Sequence, residues 1–176
     1  TSDDEKQWLR QKFLEYKVKK GSVNELKNRM DIIPTSIALA QAAKESGWGT
    51  SRFALEGNSL FGQRTWRSGS GFVPKERSSE ATFEVTKFQI IRASVKAYKK
   101  NLNTHKSYIK FRESRKKLRE KNKTISGLEL TKTLDNYAET GSEYTKILSK
   151  IIVQNRLMDF ESVRLTSSSK KKEVNL

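Results

Sequence analysis

The chain has 176 residues, 36 Lys and Arg against 20 Asp and Glu for a formal charge of +16, and 34% hydrophobic residues. That is enough for one domain with a core, and the cationic excess suits polyanions: nucleic acid, anionic lipid or the acidic polymers of a bacterial wall. With no cysteine and one histidine, disulfides, thiolate chemistry and multi-histidine metal sites are excluded, and no run of about 18 apolar residues could span a membrane.

Residues 4–18 place Leu9, Phe13 and Tyr16 at helical spacing with Trp8 beside them, which predicts a first helix. A short helix follows Val23 and ends before Asp31. Pro34 suits the first turn of the next helix, where its missing N–H costs nothing. That helix reads TSIALAQAAKES. Its apolar residues run almost all the way round, so it is expected to be central and buried, and Gly47 and Gly49 stop it. Residues 50–70 read as irregular. In residues 71–88, Phe83 and Val85 alternate with Glu84 and Thr86 behind a turn signal at Ser78–Ser79, predicting a β-hairpin.

Ile91, Val95, Tyr98 and Leu102 mark an amphipathic helix. Residues 106–123 carry nine Lys or Arg against two Glu, and are expected to be helical with Tyr108, Ile109, Phe111 and Leu118 as anchors. Leu130, Leu134 and Tyr137 predict one further helix. Tyr144, Ile147, Leu148, Ile151 and Ile152 predict the last. The sum is an α+β domain, mostly helical with a small hairpin, over residues 1–165. A basic solvated tail, TSSSKKKEVNL, follows at 166–176. The start at Thr1 rather than Met fits a leader already removed.

The residue that invites chemistry is Glu45, in AAKESGWG. A carboxylate at a helix C-terminus meets the negative end of the macrodipole. Apolar neighbours Ala42, Ala43 and Trp48 add desolvation. Both effects raise its pKa and fit it to give a proton to a leaving oxygen, as a glycosidase general acid does. Gln41, one turn earlier on the same face, could orient it. The alternative is an ordinary solvated Glu near a helix end. Trp48 likewise reads either as a core aromatic or as a platform for a sugar ring.

The pieces ALAQAAKESGWG, SRFA and GNSLFG resemble the glucosaminidases that cut bacterial peptidoglycan, glycoside hydrolase family 73. VKAYKKNLNTHKSYIKFRESR and LDNYAETGSEYTKIL resemble its Bax-like branch, so that the likeness covers roughly residues 30–155. The resemblance implies a lysozyme-like fold, with a groove between a helical lobe and a β-lobe. It implies cleavage of the β-1,4 bond after N-acetylglucosamine in the wall glycan, a substrate found in the periplasm or cell envelope. By position Glu45 matches the family's general acid. Tyr137 matches a tyrosine lining the catalytic groove, in a segment where Glu139, Thr140 and Gly141 depart from the usual pattern and Tyr144 closes the motif. Asn58, Leu60, Phe61 and Gly62 match the segment that shapes the groove floor.

In that family a second carboxylate belongs to the β-lobe, and here Glu76, Glu80 and Glu84 are candidates. If Phe83 and Val85 pack inward, alternation leaves Glu84 facing the groove. Each of the three could equally be an exposed strand residue balancing Lys75, Arg77 or Lys87. A separation of about 5 Å from the acid would suit a covalent intermediate, and about 6.5–9.5 Å an attacking water. A third route uses the substrate's own N-acetyl group, and the three stay open at this point.

His105 reads as a loop cap rather than a base. The basic stretch from Lys106 to Lys123 reads as a solvated face or as a docking surface for anionic wall polymer, which salt would weaken. Rival functions are a muramidase or lytic transglycosylase on the same polymer, a catalytically silent wall-binding protein, and a basic module for nucleic acid. NSLFGQ stands where a GLMQ-like segment would mark the first rival. The last lacks interleaved aromatic and basic residues and any reading-helix motif, so no nucleic acid is expected as partner. No cofactor or metal is called for, and a monomer is the default.

Overall fold

The computed structural model describes residues 2–19, 21–75, 77 and 80–164. Helix α1 (Asp3–Glu15) starts at a reciprocal cap, Ser2 taking the Glu5 amide while the Glu5 carboxylate takes that of Ser2. It buries no residue completely, and Leu9, Phe13 and Tyr16 are only half covered. Ser22 caps α2 (Val23–Met30), which sinks Leu26.

Helix α3 (Thr35–Ser46) enters behind Pro34 and stops at Gly47, whose φ of 58° needs a residue without Cβ strain. Ile37, Ala40 and Gln41 on it are fully buried. Around it pack α7 (Gly127–Leu130), α8 (Ser142–Gln154) and a 3-10 turn at Leu157–Glu161. Tyr98 and Leu102 of α5 (Ile91–Thr104) and Phe111 and Leu118 of α6 (Ile109–Glu120) close the same core.

Between α3 and α5 lies the β-lobe. A short helix α4 (Arg52–Gly57) leads into β1 (Arg64–Thr65), and β2 (Gly71–Phe72) and β3 (Glu84–Thr86) follow. The sheet is antiparallel in the order β1-β3-β2, with Arg64 opposite Val85 and Phe72 opposite the same valine. Gly71 lies so close over β3 that a Cβ there would overlap the Val85 carbonyl. The whole is a helix-dominated α+β arrangement of the lysozyme-like kind.

Several elements differ from the sequence expectation. Residues 50–70 are not irregular: they hold α4 and β1, so the hairpin becomes a three-stranded sheet. The helix expected through Leu130, Leu134 and Tyr137 is α7 and a 3-10 turn at Thr131–Thr133, and Tyr137 lies in the loop beyond them. The central helix is buried on one side only, with Leu39 and Lys44 exposed.

In the basic stretch Ile109 is exposed, whereas Arg112 and Arg115 are buried. Arg115 donates to the carbonyls of Ile32 and Asn28, each at 2.5 Å, and Arg112 to those of Leu102 and His105. These two cations therefore tie α6 to its neighbours instead of meeting solvent, which is how buried guanidinium groups persist. The Ser78–Ser79 turn and the tail at 166–176 lie outside the described residues. Among those described, no helix is long and apolar enough to cross a membrane.

Candidate active site

A groove of about 1230 Å³ runs between the helical body and the sheet. Glu45, Phe61, Gly62 and Tyr137 meet in it. Glu45 is delivered by the last turn of α3, and Gly62 faces it: a Cβ built on Gly62 would stand 3.8 Å from Glu45 Oε2. Gly62 has φ +58°, a conformation that a side chain would strain while narrowing the space beside the carboxyl.

Behind the carboxyl, away from the groove, lies a chain of hydrogen bonds. The Tyr98 hydroxyl donates to Gln41 Oε1 at 2.7 Å, and Gln41 Nε2 donates to the Tyr144 hydroxyl oxygen at 2.8 Å. All three residues are buried at 1% exposure or less. Tyr144 accepts from the amide and keeps its own proton, and its hydroxyl is near enough to Glu45 to lower that carboxyl's pKa. Aromatic rings lock the arrangement. Phe61 stacks on Tyr98 at 3.9 Å and Tyr137 on Tyr144 at 5.4 Å, with interplanar angles of 9° and 7°. The Tyr137 hydroxyl donates to the Phe61 carbonyl at 3.3 Å.

Burial pushes the Glu45 carboxyl above its ordinary value of 4.5, and the Tyr144 hydroxyl and Lys44 ammonium pull it part of the way back. Burial likewise holds the Tyr137 and Tyr144 phenols well above 10 and raises Tyr108, so all three stay protonated and can serve only as neutral donors or acceptors. A carboxyl whose pKa is raised by burial beside an open groove holds its proton to higher pH than a solvated one and can pass that proton to a bound ether oxygen.

Phe61, Gly62 and Tyr137 line the groove as expected. Gln41 and Tyr144 do not line it. Both are fully covered: Tyr144 lowers the Glu45 pKa, and Gln41 holds Tyr144 by its amide. Trp48 is 62% exposed and outside the groove, because the left-handed turn after α3 swings it to the surface. Asn58 caps α4 in the left-handed region, spends its amide on the carbonyls of Phe88 and Gln89, and does not line the groove.

Among the hairpin carboxylates Glu76 lies outside the described residues, and Glu80 is exposed beyond the groove. Glu84 corrects the alternation argument. It is buried, and its two oxygens accept from the amides of Gly69 and Gly71 at 2.8 Å each, which lowers its pKa. With the tight turn at 69–71 presenting N–H groups, the carboxylate closes the turn and does not reach the groove.

The groove's other carboxylates are Asp135 and Glu139, in the loop that carries Tyr137. Asp135 Oδ2 pairs with Lys110 at 3.5 Å, and its Oδ1 is buried without a protein donor. Across from them Arg64 and Trp66 line the β-lobe side, and Asn101, His105 and Tyr108 the helical side. His105 also accepts from the Ser107 amide, the capping role expected of it. Arg64 and Trp66 carry no signal in the sequence, because β1 is only two residues long and offers no alternation to read. Among the described residues no three carboxylates or histidines gather as a metal site would require.

The family described as "Glucosaminidase: Mannosyl-glycoprotein endo-beta-N-acetylglucosaminidase" matches residues 20–157. "Protein bax" of Escherichia coli (strain K12) is 37% identical over 136 residues, covering 76% of this chain and 47% of that protein. The chain thus spans about half the length of the curated relative it matches. No solved structure matches.

Proposed function

The chain belongs to the glucosaminidase family, and on that premise we propose that it hydrolyses peptidoglycan in the cell envelope, cutting the β-1,4 bond after N-acetylglucosamine with Glu45 as general acid. What carries the reading is a carboxyl whose pKa burial raises, at the floor of a groove large enough for several sugar rings. The net charge of +16 supports an acidic glycan as the polymer.

In the proposed step Glu45 passes its proton to the glycosidic oxygen as the bond to the anomeric carbon breaks. Water then supplies hydroxide to that carbon, and the proton left over restores Glu45. Tyr144 holds the carboxyl in place and steadies the carboxylate that forms. Tyr137, stacked on Tyr144 and anchored on Phe61, walls the reacting sugar from the core. Among the described carboxylates Asp135 and Glu139 share the groove with Glu45, and in the proposed step one of them takes the water's proton and passes it through solvent to Glu45, which closes the cycle.

Digestion of purified peptidoglycan with mass analysis of the products tests this reading. Fragments ending in reducing N-acetylglucosamine are expected. Fragments ending in reducing or anhydro N-acetylmuramic acid would replace it with a muramidase or a lytic transglycosylase, and no release at all would refute it.

A further inference from the structure

Arg64 and Trp66 stand two residues apart at the edge of the sheet, and both line the groove. Thr65 between them turns the other way, its hydroxyl 3.2 Å from that of Ser70, as alternation along a strand requires. The Arg64 guanidinium lies 4.1 Å above the centre of the Phe83 ring. That contact fixes the plane of the fork from one side. Arg64 is exposed, and among the described residues its guanidinium is recorded against the Phe83 ring with no ion pair or hydrogen bond. Trp66 is 72% exposed and lines the groove. A held but unspent guanidinium beside an open indole is the pairing that reads a sugar ring carrying an acid group: the ring lies on the indole, and the fork takes the carboxylate with two parallel hydrogen bonds.

We infer that Arg64 and Trp66 form a subsite of the groove for a carboxylate-bearing sugar or its acidic side chain, which makes the enzyme prefer acidic over neutral N-acetylglucosamine glycans. The inference rests on the hydrolase reading above and adds to it a specificity device on the β-lobe. Trp66 supplies ring contact for any pyranose. Arg64 supplies the discrimination, since a neutral glycan leaves its fork in water.

Binding is measured by calorimetry in a Glu45→Gln background, which stops turnover. Three probes are compared: a muropeptide tetrasaccharide with free carboxylates, the same compound with its carboxylates amidated, and chitotetraose. The expected result is a preference for the free acid that falls about tenfold or more in Arg64→Gln, falls less in Arg64→Lys, and shrinks as salt rises. Trp66→Ala is expected to weaken all three probes by similar factors. Because the readout is a ratio within each variant, a general loss of folded protein does not imitate it. A ratio that Arg64→Gln leaves in place, or equal binding of acid and amide by the parent, overturns the subsite while leaving the hydrolase reading standing. Failure of all three probes to bind overturns both.

Discussion

Replacing Tyr144 by Phe removes the oxygen that ends the buried chain Tyr98–Gln41–Tyr144 and that lowers the Glu45 pKa. Gln41 Nε2 then has no acceptor at 0% exposure, where water cannot replace the lost oxygen. Leaving a buried donor unpaired costs about 1–3 kcal/mol. For a domain of this size each kcal/mol lowers Tm by about 2–4 °C, so calorimetry should find the variant melting several degrees below the parent. The second consequence is chemical. The Tyr144 hydroxyl lowers the Glu45 pKa, so its loss lets burial raise that pKa further. The limb of the pH–rate profile on which Glu45 must remain protonated should therefore move to higher pH in Tyr144→Phe. The other groups around Glu45 are Lys44 from α3, Tyr108 from the turn before α6 and Tyr137 from the following loop. None changes in the variant, so a shift reports the Tyr144 contact. A variant with the parent's Tm and a superimposable profile would refute the chain as a support for Glu45.

Other expectations follow from the same geometry. Since the folded pKa of Glu45 lies above its ordinary 4.5, its charged form opposes folding. Glu45→Gln should therefore melt above the parent at pH 7, with the gap closing as pH falls to about 4, where the parent is protonated folded or unfolded; a gap independent of pH would contradict the raised value. Glu84 has the opposite sign. Its lowered pKa adds stability above the ordinary 4.5 that is lost as pH falls below it, and Glu84→Ala should speed hydrogen exchange at the Gly69 and Gly71 amides, while an unchanged rate would sink the turn-closing role. Gly62→Ala should cost about 1–2 kcal/mol of left-handed strain, seen as a Tm lowered by several degrees, and should lower activity, since the new methyl stands beside the Glu45 carboxyl.

The helical frame was legible because it is written in local periodicity. Tyr98 and Leu102 on α5, and Leu148 and Ile152 on α8, fall where spacing put them. The setting of Glu45 was legible in part: it does lie half-buried with a raised pKa, but on a helix covered on one side only and without the Trp48 expected beside it. What escaped depends on partners distant in sequence. Alternation could place Glu84 opposite Val85 but could not show that the amides of residues 69 and 71 would fold over to claim its oxygens. Nor could composition distinguish Arg112 and Arg115, held by backbone carbonyls, from the lysines around them that meet water. Gln41 was recognised as a neighbour of Glu45, but its bond to Tyr144, 103 residues away, is a tertiary fact. The strand that carries Arg64 is two residues long, with Trp66 just past its end, too short for a period to register.

The most direct measurement is the digestion of whole sacculi by the parent and by Glu45→Gln, with folding checked by melting and products counted by mass. Loss of a general acid of this kind costs about 10²–10⁴ in rate. The account expects release of glycan fragments to fall by at least the lower of these factors in a variant that is folded at the assay temperature. Release at the parent's rate from that folded variant would contradict it.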